Sequence, residues 1–180
     1  DTKLYDTKDT VKRAMEMVDK LGAHMVTVHE ACVAHAVEAR TAVLAVGMLT
    51  DATAGRPGYP NPDIADGIVC SVWHAAMIRR NTGKILVCPG IRPEGSAANN
   101  HTMAATPRQA VEAGADYIVV GRPIIEAANP VHSLADSKRM REALAAQLDQ
   151  AVTQRVGCGD DQRERARGEA MILHVVSWCG

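Results

Sequence analysis

A chain of 180 residues, 47% of them hydrophobic, is long enough to bury one sizeable core. Its 20 basic and 21 acidic side chains leave a formal net charge of -1, without the basic surplus that binding to nucleic acid or an anionic membrane surface calls for. No stretch reads as a signal peptide and no apolar run approaches the roughly 20 residues that cross a bilayer, so a cytoplasmic chain is expected.

The first ten residues, DTKLYDTKDT, crowd two carboxylates and an ammonium together as Asp1, Lys3 and Asp6. Residues 9–22 then place Val11, Ala14, Met15, Val18 and Leu21 at helical spacing and stop at Gly22. HMVTVHE reads as a strand, ACVAHAVEAR as a helix and TAVLAVGMLT as a second, buried strand. DATAGRPGYPNPDIAD is a loop by composition. GIVCSV is a third strand, WHAAMIRRNTG a helix and KILVCPG a fourth strand, followed by the Gly-, Ser- and Asn-rich loop IRPEGSAANNHTMAA. TPRQAVEAGA carries the punctuation of a short helix, with Thr106 as N-cap, Pro107 at the first helical position and Gly114 near the stop. DYIVVGRP is a fifth strand, and a long helix is expected from about Asn129-Pro130 through VHSLADSKRMREALAAQL.

Strand and helix alternating with short connections point to a parallel α/β fold, a barrel or a doubly wound sheet. Strands such as ILVC and YIVV are apolar on both faces, as parallel strands covered by helices must be. The polar clusters His29-Glu30, Thr50-Asp51, Gly90-Ile91-Arg92 and Gly121-Arg122 fall where strands end, which in a barrel is where active groups sit. Asp1-x-Lys3 fits the same place if a strand precedes it.

The side chains without such a place receive plainer assignments. With no Phe, packing relies on Ala, Val, Ile, Leu and Met, and Met15, Met17, Met25 and Met48 are expected to fill core gaps. The five cysteines (Cys32, Cys70, Cys88, Cys158 and Cys179) show no C-x-x-C spacing, and Cys70 and Cys88 are expected as buried thiols in a reducing compartment. His24, His35, His74 and His132 lack metal-ligand spacing. His29 and Glu30 either line a pocket or simply end a strand. The charged tail from about Asp149 carries no motif, and its MILHVVSWCG could form one more strand.

Two Gly-Arg pairs on successive strand ends, in PGIR and GRPI, point to a phosphate. Glycine lets backbone N–H groups approach an anion, and a guanidinium grips two of its oxygens. Beyond that, VCPGIRPEGSAANNHTMAATPRQAVEAGADYIVVGRPIIEAANPV closely resembles the phosphate-binding half of the orotidine 5'-phosphate decarboxylase family. That family carries PGIRP, a Gly-Ser-Ala loop, a TP-x-x-A helix start and VGRPI in this order and spacing. DTKLYDTKDTV resembles the family's D-x-K-x-x-D-x-x-x-T signature, and ADGIVCS and VTVHE are similar to its strands. The resemblance spans residues 1 to about 144.

The resemblance implies an α/β (β/α)8 TIM-type barrel, incomplete or modified at its N-terminus, over residues 1–148, with 149–180 as a charged tail. It also implies decarboxylation of orotidine 5'-phosphate to UMP and CO2 without metal or organic cofactor. Lys3 matches the family lysine that meets the developing carbanion and protonates it. Asp1 matches the carboxylate set beside the substrate carboxylate, and Asp6 one that reaches the neighbouring subunit's site. A homodimer with shared active sites follows, with a small nucleotide as ligand and neither nucleic acid nor membrane as partner. Thr10 is expected near the ribose and the dimer seam, Thr50 at the pyrimidine or its carboxylate, and Arg92, Gly121 and Arg122 at the phosphate.

The chain departs from the family at several points. His101 stands where the family usually has a Gln clamp, Thr7-Lys8 replaces Ile-Pro, and residues 52–65 replace a helix. The family's first three strands, two of which carry an Asp and a Lys of the site, precede the D-x-K signature, so a partial or heavily altered sequence is expected. Two alternatives stay open: a nucleotide-binding homologue without turnover, and a metal-dependent sugar-phosphate lyase or aldolase of the same superfamily.

Overall fold

A computed structural model of the chain describes residues 2–36, 38–47, 62–92 and 104–121. Within these residues five parallel strands form one sheet: β1 (Met25–His29), β2 (Ala42–Val46), β3 (Gly67–Val69), β4 (Ile85–Cys88) and β5 (Tyr117–Ile118). Their spatial order is their chain order. A doubly wound sheet reverses order at its centre, whereas each unit of a barrel wall lies beside the next, so the order selects the barrel arrangement. On the far side of β1, Leu4 makes an isolated parallel bridge to Val28, which puts the opening segment where a preceding strand of the wall would run.

Three helices cover one face: α1 (Lys8–Lys20), α2 (Val72–Asn81) and α3 (Pro107–Glu112). Val26, Val28, Val43 and Ala45 pack with Val11 and Met15 of α1. Ile68, Leu86, Cys88 and Ile118 pack with Val72, Ala75 and Ile78 of α2 and Ala110 of α3. By the two-residue strand period, Thr27, His29, Leu44, Val46, Val69, Val87 and Tyr117 occupy the opposite face. Leu44, Val46 and Val87 are buried there as well, which is why these strands read as continuous apolar runs. Among the described residues no helix is long and apolar enough to cross a membrane.

One local device recurs. α1 and α3 both end in a left-handed glycine, Gly22 (φ 69°) and Gly114 (φ 89°). In each the glycine N–H and the next one reach back to the last turn: Gly22 to Asp19 O and Ala23 to Val18 O, Gly114 to Val111 O and Ala115 to Ala110 O. Alanine, a polar residue and a strand follow in both, as Ala23-His24-Met25 and Ala115-Asp116-Tyr117, and Ala65-Asp66-Gly67 has the same form before β3. The two aspartates bond alike. Asp66 N donates to Val43 O (3.0 Å) while its carboxylate accepts from Val43 N (2.8 Å). Asp116 N donates to Leu86 O (3.0 Å) while its carboxylate accepts from Leu86 N (2.8 Å). Each acid therefore closes the first ladder position of the preceding strand.

Thr106 does cap α3, as a full capping box with Gln109. Two expectations fail. ACVAHAVEAR forms a short 3-10 helix over Glu30–His35 rather than an α-helix through Arg40. The chain beyond it turns so that Arg40 N and Thr41 N can donate to the Asp19 carboxylate at the end of α1 (3.1 and 2.9 Å). Met17 is 57% exposed rather than a core filler, because the buried stripe of α1 runs through Val11 and Met15. Cys70, just past β3, and Cys88, at the end of β4, are buried side by side with Sγ atoms 4.0 Å apart. Hydrogen bonding with Cys70, and then burial, push the Cys88 thiol far above its ordinary range. The long C-terminal helix and the tail strand expected beyond residue 121 lie outside the described residues, as do Met48 and most of the loop between β2 and β3.

Candidate active site

Parallel strands all end on the same edge, and the candidate side chains gather along it. At one margin the Lys3–Asp6 segment lies against β1 and the 3-10 helix after it. Lys3 N donates to Thr27 Oγ1 (2.9 Å), and Leu4 N donates to Thr27 O (3.0 Å). His29 N donates to Leu4 O (2.9 Å), and the Cys32 thiol donates to Asp6 O (3.4 Å). The ring of Tyr5 meets that of His29 at a centroid distance of 4.5 Å. Lys3 itself adopts φ 45°, the sole non-glycine with positive φ among the described residues.

Asp6 then turns the chain into α1. Its carboxylate accepts from Thr7 N (2.6 Å), and Thr7 Oγ1 and Thr10 Oγ1 are 3.1 Å apart. The Thr7 amide, with help from the two hydroxyls, holds the Asp6 carboxyl below its ordinary value, so the group stays anionic. Lys3, Asp6 and Thr10 are all exposed to solvent.

At the other margin, β4 and β5 deliver the two glycine-bearing loops on adjacent strand ends. Gly90, at φ 79°, makes the turn that side chains with a Cβ rarely make. Ile91 is buried behind it and bridges to Ala105. Arg92 N donates to Ala105 O (2.9 Å) and Ala105 N to Gly90 O (3.3 Å). The loop between them is thereby tied at its base, with Arg92 at one foot and the Thr106 cap of α3 beside the other. Gly121 comes three residues after β5, and Val119 N donates to Cys88 O (2.9 Å), which holds the two strand ends together.

Of the residues expected at the site, Lys3, Asp6, Thr10, Arg92 and Gly121 fall on this edge, in two groups. Asp1, Thr50, His101 and Arg122 lie outside the described residues. Sequence reading passed over Thr27 and Cys32, whose contacts with the Lys3–Asp6 segment cross more than twenty positions of chain. The one available signal was a polar residue inside an otherwise apolar strand, VTV. His29, left open between pocket and strand end, is the N-cap of the 3-10 helix, its Nδ1 accepting from Ala31 N (3.3 Å). Among the described residues no three His, Cys, Asp or Glu side chains group as metal ligands.

Known proteins share both the sequence and this architecture. The family model described as Orotidine 5'-phosphate decarboxylase / HUMPS family matches residues 39–136, which leaves the Lys3–Thr10 signature outside the matched span. An orotidine 5'-phosphate decarboxylase of Rhodopseudomonas palustris (strain BisB5) is 38% identical over 184 residues, covering 84% of this chain and 72% of its own. One from strain BisA53 is 42% identical over 155 residues, covering 72% of this chain and 66% of its own. A crystal structure of orotidine 5'-phosphate decarboxylase from Lactobacillus acidophilus superposes with a TM-score of 0.59 at 26% identity, over 81% of this chain and 72% of that one. One from Thermotoga maritima superposes with a TM-score of 0.60 at 22% identity, over 76% and 71% of the two chains, a likeness of fold. These neighbours are TIM barrels, and the parallel sheet in chain order belongs to the same α/β class.

Proposed function

Because the chain belongs to the orotidine 5'-phosphate decarboxylase / HUMPS family, we propose that it is a carboxy-lyase of de novo pyrimidine biosynthesis, converting orotidine 5'-phosphate to UMP and CO2 without a cofactor. One observation carries the reading. The Lys3–Asp6 segment is bonded along the end of β1, on the same sheet edge that bears the Arg92 and Gly121 loops.

The chemistry needs both margins. The C6–carboxylate bond breaks and its electron pair stays on C6, so negative charge grows where a cation must already stand. Lys3 supplies that cation and then its proton, which joins C6 to give UMP. Asp1 sits beside the substrate carboxylate and repels it until CO2 leaves. Asp6, kept anionic by the Thr7 amide, frames the ammonium and extends to the site of a second subunit, which makes the working unit a homodimer. Thr10 lies by the ribose and Thr50 by the pyrimidine. Arg92, His101, Gly121 and Arg122 hold the phosphate, whose binding far from the reacting carbon serves rate as well as affinity. Residues 1–148 form the barrel portion and 149–180 a tail, in a cytoplasmic enzyme.

The test is the absorbance change of orotidine 5'-phosphate with purified chain, with and without EDTA, alongside Lys3→Ala. Turnover that resists EDTA and falls by at least a thousandfold in the variant is the expected result, on the order of what loss of a main electrostatic group costs. A second reading, nucleotide binding without turnover, is favoured by His101 in place of Gln. It predicts UMP affinity with no decarboxylation in either protein. EDTA-sensitive aldol chemistry would instead make the chain a metal-dependent sugar-phosphate lyase or aldolase.

A further inference from the structure

We propose that Thr27 is a positioning residue, whose side-chain hydroxyl holds Lys3 in its left-handed backbone conformation and so aims the amine of that residue. The inference rests on the reading of Lys3 as the proton donor. It begins from a backbone outlier: Lys3 stands at φ 45°, where a residue with a Cβ is disfavoured and where glycine or asparagine would sit at least cost. Such a conformation persists only where the surroundings over-determine it, and such sites cluster where function needs a particular side chain in a strained place.

Thr27 supplies that determination on both sides of the outlier. Its Oγ1 accepts from Lys3 N (2.9 Å), while its carbonyl accepts from Leu4 N (3.0 Å) and from Thr2 Oγ1 (3.2 Å). The next ladder bond, His29 N to Leu4 O (2.9 Å), anchors the following residue. The carbonyl bonds are available to any residue at position 27, but the bond to Lys3 N needs a side-chain acceptor. Valine, alanine or leucine there would keep the Leu4 bridge and leave the Lys3 amide without this hydroxyl. The hydroxyl is also correctly placed by strand alternation. Val26 and Val28 enter the core beneath α1, so Thr27 points to the opposite face, beside the segment it grips.

Loss of the grip rotates Lys3 about φ toward the ordinary negative region, and the Cα–Cβ direction turns with it. A displacement of about 1 Å at a reacting group costs on the order of a hundredfold in rate. The phosphate loops on β4 and β5 are remote from β1 in the sheet order, so substrate affinity is not tied to this bond.

The experiment compares Thr27→Val, Thr27→Ala and Thr27→Ser with the unaltered chain in two measurements. The first is kcat and KM for orotidine 5'-phosphate, with the thermal midpoint as a check that each variant folds. The second is independent of turnover: the 13C resonance of reductively 13C-methylated Lys3, identified by its loss in Lys3→Arg. Expected are a kcat lower by about ten- to a hundredfold in Thr27→Val and Thr27→Ala with KM within about threefold, and near-normal kcat in Thr27→Ser. The Lys3 resonance should move in the first two variants and return in the third. A chain without turnover defeats the decarboxylase reading and leaves the resonance to decide the positioning. A Lys3 resonance unmoved in folded Thr27→Val and Thr27→Ala, or moved equally in Thr27→Ser, overturns the proposal whatever the rates.

Discussion

Arg79 is the best place to test how this wall is held together. Its guanidinium reaches from α2 to the start of two strands: Nε and Nη2 donate to Gly114 O (3.1 and 2.9 Å), Nη1 donates to Lys84 O (2.9 Å), and Nη2 pairs with the Asp116 carboxylate. Asp116 in turn closes the ladder at Leu86. Replacing Arg79 with alanine takes a partner from the Asp116 carboxylate and a donor from the Gly114, Lys84 and Thr82 carbonyls at once. A fully buried pair broken on one side costs about 3–5 kcal/mol, and an exposed pair about 0–1 kcal/mol. With the side chains 16% and 34% exposed, the loss belongs between these limits, near 2–3 kcal/mol. For a domain of this size that lowers the thermal midpoint by about 5–10 °C. Arg79→Lys keeps the charge but cannot span the three carbonyls and the acid, so it should recover less than half of the loss. Paired with Asp116→Asn in a double-mutant cycle followed by thermal or urea unfolding, the coupling should be about 1–2 kcal/mol. Because the network lies at the strand starts, opposite the candidate site, kcat/KM per folded molecule should not change. A midpoint within about 1 °C of the unaltered protein, or strict additivity with Asp116→Asn, would refute the clamp.

Two further outcomes follow from local geometry. A Cβ on Gly67 would stand 2.6 Å from Leu44 Cδ2 and 2.8 Å from both Cβ and O of Ile85, so Gly67→Ala should lower stability by roughly 2–3 kcal/mol in urea unfolding; a neutral result would mean that β2 and β4 give way freely. The Thr41 hydroxyl, then the Arg40 and Thr41 amides, hold Asp19 below its ordinary value of 3.8. A depressed folded value means a contribution complete above 3.8 and lost as pH falls through the lower folded value. Asp19→Asn should therefore melt lower at neutral pH and lose less on acidification below 3.8, whereas parallel melting profiles down to about pH 2 would sink the assignment.

How much of this was written locally depends on the span of each interaction. The strand cores announced themselves because parallel strands are buried on both faces and must be apolar throughout. Helix ends were equally plain, since Gly22 and Gly114 meet a backbone requirement within one turn and Thr106 caps within three residues. The order of the strands was not. Alternation of strand and helix suits a barrel or a doubly wound sheet alike; the family resemblance implied the barrel, and pairing in chain order bears it out. Nor could sequence tell that the run after His29 winds as a short 3-10 helix and stops short of Arg40, whose amide, with that of Thr41, is claimed by an acid on α1 more than twenty positions away.

The site divides the same way. Resemblance to the D-x-K signature named the ammonium and its flanking acids, and the two Gly-Arg pairs named the loops, because the motifs that carry those chemical groups are local in sequence. What holds them was decided by the folded chain. Thr27 lies 24 positions from Lys3, and Arg79 lies 37 from Asp116. Nothing in a threonine within VTV or an arginine near a helix end declares such a partner until the sheet brings it within about 3 Å, because hydrogen bonds act only at contact.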